Sequence, residues 1–276
     1  MHPILVWTDG GPVHGYGILV AAGYLAGILW LWSRRREVEG GDAEFWALVY
    51  TIFFCAILGA KLGYVLLDWK QFRGDPAGAL RDWRSGWVFW TGFAATMAGG
   101  WVFQRVYNRS HRPRRYLPIA DYFGPALALG HTLGRLGCFL EGCCHGRPTT
   151  LPWGVRFTDP AAGLDEAFRG LALHPTQLYE AAGEAAIFAF MLVKVLPGIR
   201  KGRYAYGTAF FGYILLYSVL RFVVEFFRGD DRGTFFLPWL SPSQWFSLIG
   251  LILAAYALRR NGIRERNLEG RSLYLP

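Results

Sequence analysis

The feature that most constrains this chain is its series of apolar stretches, each roughly 18 to 25 residues long and separated from the next by short arginine-rich runs. At the helical rise per residue, a stretch of that length crosses the ~30 Å hydrocarbon layer of a bilayer. Lipid offers no partners to backbone N–H and C=O groups, so only helices and closed barrels span it. Barrel strands would alternate apolar and polar residues, and these stretches do not. The expected fold class is therefore all-α, a polytopic membrane protein.

Composition agrees. Hydrophobic residues make up 53% of the 276-residue chain, and a soluble domain of this size would carry them in shorter periodic runs. The net charge of +9 raises the question of nucleic acid. Most of the Lys and Arg, however, lie between apolar stretches, where membrane topology requires them. No zinc-finger, RNP or basic heptad signature accompanies them, so no nucleic-acid partner is expected. The segment before the first stretch has no Lys or Arg, unlike a secretory signal peptide, and the first stretch is expected to be retained.

About seven spans can be read, over residues 13–32, 45–67, 87–103, 117–136, 175–196, 204–227 and 243–258. Dense basic runs follow the first, third, fifth and seventh, such as Arg34–Arg36 and Arg200, Lys201 and Arg203. The connections after the second and sixth mix signs. The positive-inside rule then places the N-terminus outside and the C-terminus in the cytoplasm. It also puts the long 138–173 segment on the outer face, as a loop domain. With no internal repeat, residues 1–276 read as a single transmembrane domain.

Charges at bilayer depth cost at least ~2.5–3.5 kcal/mol each and need a reason. Lys61 stands in the second span and Arg135 at the outer end of the fourth. Arg221, Glu225 and Arg228 follow one another at i, i+4 and i+7 in the sixth, on one helical face. One reading is a set of structural ion pairs, with Glu225 neutralising its two arginine neighbours. The other is an anion site, because the guanidinium fork matches phosphate and stays charged when partly desolvated. Cations within apolar walls suit a phospholipid head group. Lys61 alone could equally snorkel or form a structural pair.

These residues lie within longer motifs. Gly134-Arg135-Leu136-Gly137-Cys138-Phe139-Leu140-Glu141-Gly142 resembles the signature of the bacterial prolipoprotein diacylglyceryl transferases. His174-Pro175-Thr176-Gln177-Leu178-Tyr179-Glu180-Ala181 resembles a second family motif, and Arg221 with Val224-Glu225-Phe226-Phe227-Arg228 a late one. His14-Gly15-Tyr16-Gly17, Ile119-Ala120-Asp121 and Ser243-Gln244 resemble three more, all in the family's order. The resemblance implies a seven-span protein of the bacterial cytoplasmic (inner) membrane. Its activity would be transfer of the diacylglyceryl group from phosphatidylglycerol to the cysteine thiol of a lipoprotein precursor, or to a related acceptor, with no cofactor. By position it implies catalytic roles for Arg135, Arg221 and Glu225. Tyr16, Gly146, His174, Gln177 and Arg228 would line the substrate site, His174 also capping or orienting the start of the fifth span, and Lys61 joins them as a candidate from its charge alone.

Three positions depart from the family. Trp90 occupies the place of its functional histidine, Cys138 that of an Asn, and Cys143 that of an acidic residue, with Cys144 and His145 following. Trp cannot accept a proton there. His131, one helical turn before Arg135, could act as base instead. It could also be a packing histidine, and His145 is a further possible base. Cys55 reads as a small buried apolar residue. On the outer, oxidising side, Cys138, Cys143 and Cys144 admit a disulfide or a reactive thiol beside Arg135 and His145. Their Cys-x4-Cys-Cys-His spacing is no standard zinc pattern, and no metal is expected. Two other functions stay open: a lipid-binding protein without catalysis, and a membrane thiol/disulfide redox protein using the three cysteines.

Overall fold

Helices form at each apolar stretch in the computed structural model, which describes residues 3–8, 11–38, 41–82, 88–111, 113, 115–230 and 239–266. In chain order they are α1 (Gly15–Arg34), α2 (Asp42–Leu67), the short α3 (Trp69–Phe72) and α4 (Pro76–Arg81), and α5 (Phe89–Ser110). Then come α6 (Tyr116–Ala120), α7 (Phe123–Glu141), α8 (Thr176–Phe190), α9 (Leu196–Arg200), α10 (Thr208–Glu225) and α11 (Pro242–Arg266). Two small antiparallel hairpins join them, β1 (Ile4–Thr8) with β2 (Gly11–His14) and β3 (Val155–Arg156) with β4 (Ala172–Leu173). Four helical segments, Gly15–Glu37, Asp42–Leu67, Thr176–Arg200 and Thr208–Glu225, are long and apolar enough to cross a membrane. Leu58, Leu62 and Leu66 on α2 and Ile252, Leu253 and Tyr256 on α11 are exposed, the exterior that hydrocarbon rather than water would accept. The fold is that of an all-α membrane protein.

The chain divides into two compact units, one built on α1 and α7 to α11, the other on α2 to α5. In the second unit α2 and α5 pack through small residues. A Cβ added at Gly92 would lie 2.9 Å from the Ala56 carbonyl and 3.1 Å from the Ala60 Cβ. Gly59 and Gly63, one turn apart, present the same lack of room to Ala95 and Thr91. Lipid supplies no hydrophobic drive between helices, so close backbone approach has to provide the attraction. The first unit repeats the device, Gly23 of α1 meeting Gly130 of α7.

The fourth expected span is interrupted. The chain breaks between α6 and α7, and the reason is Asp121, which is buried at the break. Its carboxylate accepts from the backbone N–H groups of Gly207 (2.7 Å), Ala209 (2.8 Å) and Phe210 (3.1 Å). Asp121 thus satisfies the orphan donors at the start of α10 from another element. The fifth span also deviates. Leu196 N–H bonds back to Met191 over a π-turn, which accommodates Pro197, a residue with no N–H to give the ladder. The third and seventh helices outrun their apolar windows, so Arg105, Arg109, Arg259 and Arg260 sit on helix ends rather than in loops.

Residues 142–175 fold around their own apolar cluster of Phe157, Ala162 and Leu173, packed against Phe139, Val155 and Phe168. Backbone bonds lock this segment to the start of α8 and the end of α10: Gly146 N to His174 O (2.9 Å), Arg147 N to Phe227 O (2.9 Å) and Gly229 N to His145 O (3.2 Å). A Cβ on Gly146 would press within 2.6 Å of both the His174 and the Phe227 carbonyls, so only glycine fits.

Candidate functional site

Helices α7, α8 and α10 each turn a polar stripe toward the others. His131 and Arg135 stand four apart on α7, Glu180 and Glu184 four apart on α8, and Tyr213, Tyr217 and Arg221 at the same spacing on α10. The stripes meet in two rungs. In the first, His131 Nδ1 lies 2.8 Å from Glu184 Oε1, and the Tyr213 hydroxyl lies 2.9 Å from the same nitrogen. In the second, Arg135 Nη2 lies 2.9 Å from Glu180 Oε1, to which the Tyr217 hydroxyl also donates at 3.3 Å. Both glutamates are 0% exposed, whereas the Arg135 and His131 side chains remain 18% and 32% exposed. A buried carboxylate therefore holds each base or cation from behind and leaves its other edge open.

His131 Nδ1 faces the Glu184 carboxylate; in the tautomer that donates Nδ1–H to it, the lone pair stands on Nε2. The Nδ1 partners of His131 are thus a carboxylate and a hydroxyl. Glu180 and Glu184 carry no role in the sequence reading above. The available signal was a pair of carboxylates at i, i+4 in an otherwise apolar helix, which is costly unless both are partnered.

The late motif is arranged differently from expectation. Arg221 and Glu225 do pair, at 2.6 Å, and Arg221 Nη2 donates to Ser243 Oγ at 3.1 Å. Glu225 in turn accepts from Ser241 at 2.6 Å. But α10 ends at Glu225, so Arg228 leaves the helical face and forks onto Asp230, Nε to Oδ1 at 2.8 Å and Nη2 to Oδ2 at 2.7 Å. Glu225 neutralises one arginine rather than two. Arg135, Arg221 and Arg228 each own a carboxylate, so the cations do not stand in excess. Of the three, Arg135 is the most exposed.

The remaining expected residues are distributed around this core. Tyr16, half exposed on α1, packs its backbone against Gly137 and lies close enough to Arg135 and the cysteines to feel their charges. Gln177 is fully buried and donates to the Cys143 carbonyl at 2.7 Å. His174 receives the Tyr179 hydroxyl at 3.2 Å, while Trp153 Nε1 donates to that hydroxyl at 2.7 Å. Burial and the Arg147 guanidinium hold the His174 imidazole below its ordinary range. His145 is buried, its Nδ1 3.0 Å from the Gly146 carbonyl and its ring against Phe168. Gly146 serves as the close-approach point described above. Lys61 belongs to the α2–α5 unit, where it is buried, bonded to the Asp82 carbonyl and set over the Tyr64 ring. The Trp90 side chain lies outside the described residues. Cys138, Cys143 and Cys144 are free thiols with sulfurs within 4.8 Å of one another.

The class these features define is a membrane protein of several helices whose interior holds an arginine–carboxylate rung and a histidine–carboxylate rung side by side. Over residues 3–260 the chain matches the family described as prolipoprotein diacylglyceryl transferase, and it belongs to that family. It is similar to the phosphatidylglycerol–prolipoprotein diacylglyceryl transferase of Clostridium tetani, 32% identical over 266 residues, covering 96% of this chain and 100% of the relative. An enzyme named phosphatidylglycerol–prolipoprotein diacylglyceryl transferase 2, from Clostridium perfringens, is 32% identical over 274 residues, 98% of this chain and 99% of its own. A Coxiella burnetii relative bearing the first of these names is 32% identical over 255 residues, 89% of this chain and 90% of its own.

Proposed function

We propose that the chain transfers the diacylglyceryl group of phosphatidylglycerol to the cysteine thiol of a lipoprotein precursor, in the cytoplasmic membrane of a bacterium. Membership of the family and near full-length similarity to enzymes carrying that name support the reaction. The observation that carries the mechanism is the His131–Glu184 rung, one helical turn from the Arg135–Glu180 rung. Arg135 holds the phosphate of the lipid with the donors Glu180 leaves unused, and Arg221 and Arg228, each held by its own carboxylate, line the site beside it. Glu225 and Asp230 orient those two arginines. His131 Nε2 takes the proton from the acceptor thiol, and Glu184 stabilises the imidazolium that results. The thiolate sulfur bonds to the glyceryl carbon as the carbon–oxygen bond to phosphate breaks. Glycerol phosphate leaves with the electron pair, and the product is a thioether. Tyr16, Gln177 and His174 shape the surrounding walls, and residues 138–173 form a loop domain over the outer end of a seven-span bundle.

The test is a transfer assay with purified protein, labelled phosphatidylglycerol and a lipobox peptide. His131→Ala is expected to lower turnover by about 10²–10⁴-fold, the usual contribution of a general base. Arg135→Ala is expected to cost on the order of 10²–10³-fold, the effect of removing a charge-stabilising donor. A protein that binds the lipid through Arg135 but forms no thioether would instead be a lipid-binding relative. Full turnover in both variants would sink the mechanism.

A further inference from the structure

The fold gathers Cys138, Cys143 and Cys144 more tightly than their spacing in the chain suggests. Cys138 lies in the last turn of α7, and Gly142, at φ 81°, turns the chain back over it. Cys144 follows at φ 60°, the one non-glycine residue with positive φ among the described residues, a backbone that side chains tolerate only when the surroundings enforce it. The enforcement comes from the start of α8. Gln177 donates to the Cys143 carbonyl at 2.7 Å and Thr176 to the Cys144 carbonyl at 2.9 Å, and both side chains are 0% exposed. The three thiols are free, with sulfurs all within 4.8 Å. Cys138 is buried, while Cys143 and Cys144 are partly open, so the cluster has one accessible side.

We propose that Cys138, Cys143 and Cys144 form a three-thiolate site for a thiophilic d10 cation such as Zn²⁺ or Cd²⁺. Three sulfurs sharing one ion at ~2.3 Å stand about 4 Å apart, so small side-chain rotations close the set. Binding releases the thiol protons to water, and three thiolates around a divalent ion leave one net negative charge. Arg135 and Arg228 lie close enough to act electrostatically on Cys144 and so to offset that charge. Thiolate is the form soft cations select, and the expected stoichiometry is one ion per chain. The site borders the proposed transfer site through Arg135 and Arg228, but the three sulfurs alone define it.

The experiment adds Cd²⁺ to reduced, detergent-purified full-length protein and follows the ultraviolet sulfur-to-metal charge-transfer absorption. The absorption is expected to saturate at one Cd²⁺ per chain, protect three of the chain's four cysteines from alkylation, and remain in Cys55→Ser. Cys143→Ser is expected to weaken it at least tenfold. Cys144→Gly removes a ligand while suiting the positive φ, so it should lose the absorption with its metal-free melting temperature retained. No absorption from protein whose thiols all alkylate, or a full signal in Cys144→Gly, would overturn the proposal.

Discussion

At the scale of single residues, the decisive pairing is between His131 and a carboxylate 53 positions later. In the proposed mechanism the buried carboxylate orients the imidazole and stabilises the imidazolium that forms as the thiol gives up its proton. Glu184→Gln keeps the shape but withdraws the charge, so turnover is expected to fall about 10–100-fold. The KM for phosphatidylglycerol should hold, since that glutamate touches no lipid in the proposed geometry. Steady-state assays at several lipid concentrations separate the two parameters, and a change confined to KM would contradict the assignment. Arg135, Arg221, Glu225 and His131 were all legible in the sequence, because an ionisable residue inside an apolar stretch announces itself. Their partners were not. Glu180 and Glu184 sit in a motif whose letters are recognisable but whose facing helix is set by tertiary packing. Asp230 paired with Arg228 only because α10 stops sooner than its hydrophobicity does.

His174 makes a second prediction at this scale. Its pKa is held down in the folded protein by burial and by Arg147, and the neutral ring accepts the Tyr179 hydroxyl. The unfolded chain therefore takes up the proton first. Stability is full above the ordinary imidazole value of ~6.5 and is lost as the pH falls from there toward the depressed folded value. Thermal unfolding in detergent is expected to shift to lower temperature between about pH 7 and pH 5, and His174→Phe should flatten that dependence. An equal acid shift in the variant would assign the effect to other groups.

At the scale of elements, hydrophobicity placed a helix at each long apolar stretch but not its ends, and it did not mark the short α3 and α4. Apolar windows cannot see a capping residue supplied from elsewhere, and that is the situation at Asp121. This side chain both ends α6 and begins α10, accepting three backbone N–H groups that no water reaches. Asp121→Ala leaves them unsatisfied and is expected to destabilise the fold by about 2 kcal/mol or more, given ~1–2 for a lost cap and the added cost of buried donors. Chemical denaturation measures it, and Asp121→Asn, which keeps one acceptor oxygen, should recover part of the loss. The α2–α5 contact gives a companion test. Gly59→Leu inserts bulk where a Cβ already meets the Thr91 carbonyl at 2.8 Å, so the two helices must separate. Proteolysis within residues 41–111 should become faster, whereas Leu58→Ile beside it, on the exposed side, should leave the rate unchanged.

At the scale of the whole molecule, the fold class follows from stretch length alone, while orientation rests on a different physical quantity, the unequal cost of moving arginine across the bilayer. The basic runs near residues 34–36, 105–115, 200–203 and 259–266 alternate with connections in which acids offset bases. One assignment of sides keeps all four runs in the cytoplasm; on that proposed orientation Cys138, residues 142–175 and the open edge of Arg135 face outward. In the proposed mechanism that is the side on which His131 and Arg135 would meet an acceptor thiol presented outside the cell. Glu166, 87% exposed, and the exposed Lys201 lie on either side of the single α8–α9 helical segment, so a membrane-crossing segment puts them in opposite compartments. With cysteine placed at each in a background lacking the native thiols, a membrane-impermeant maleimide should label Glu166→Cys in intact cells. Lys201→Cys should react only after permeabilisation. The reverse result would invert the protein and move its site to the cytoplasmic face. Labelling of both from outside would mean that the α8–α9 segment does not cross the membrane at all.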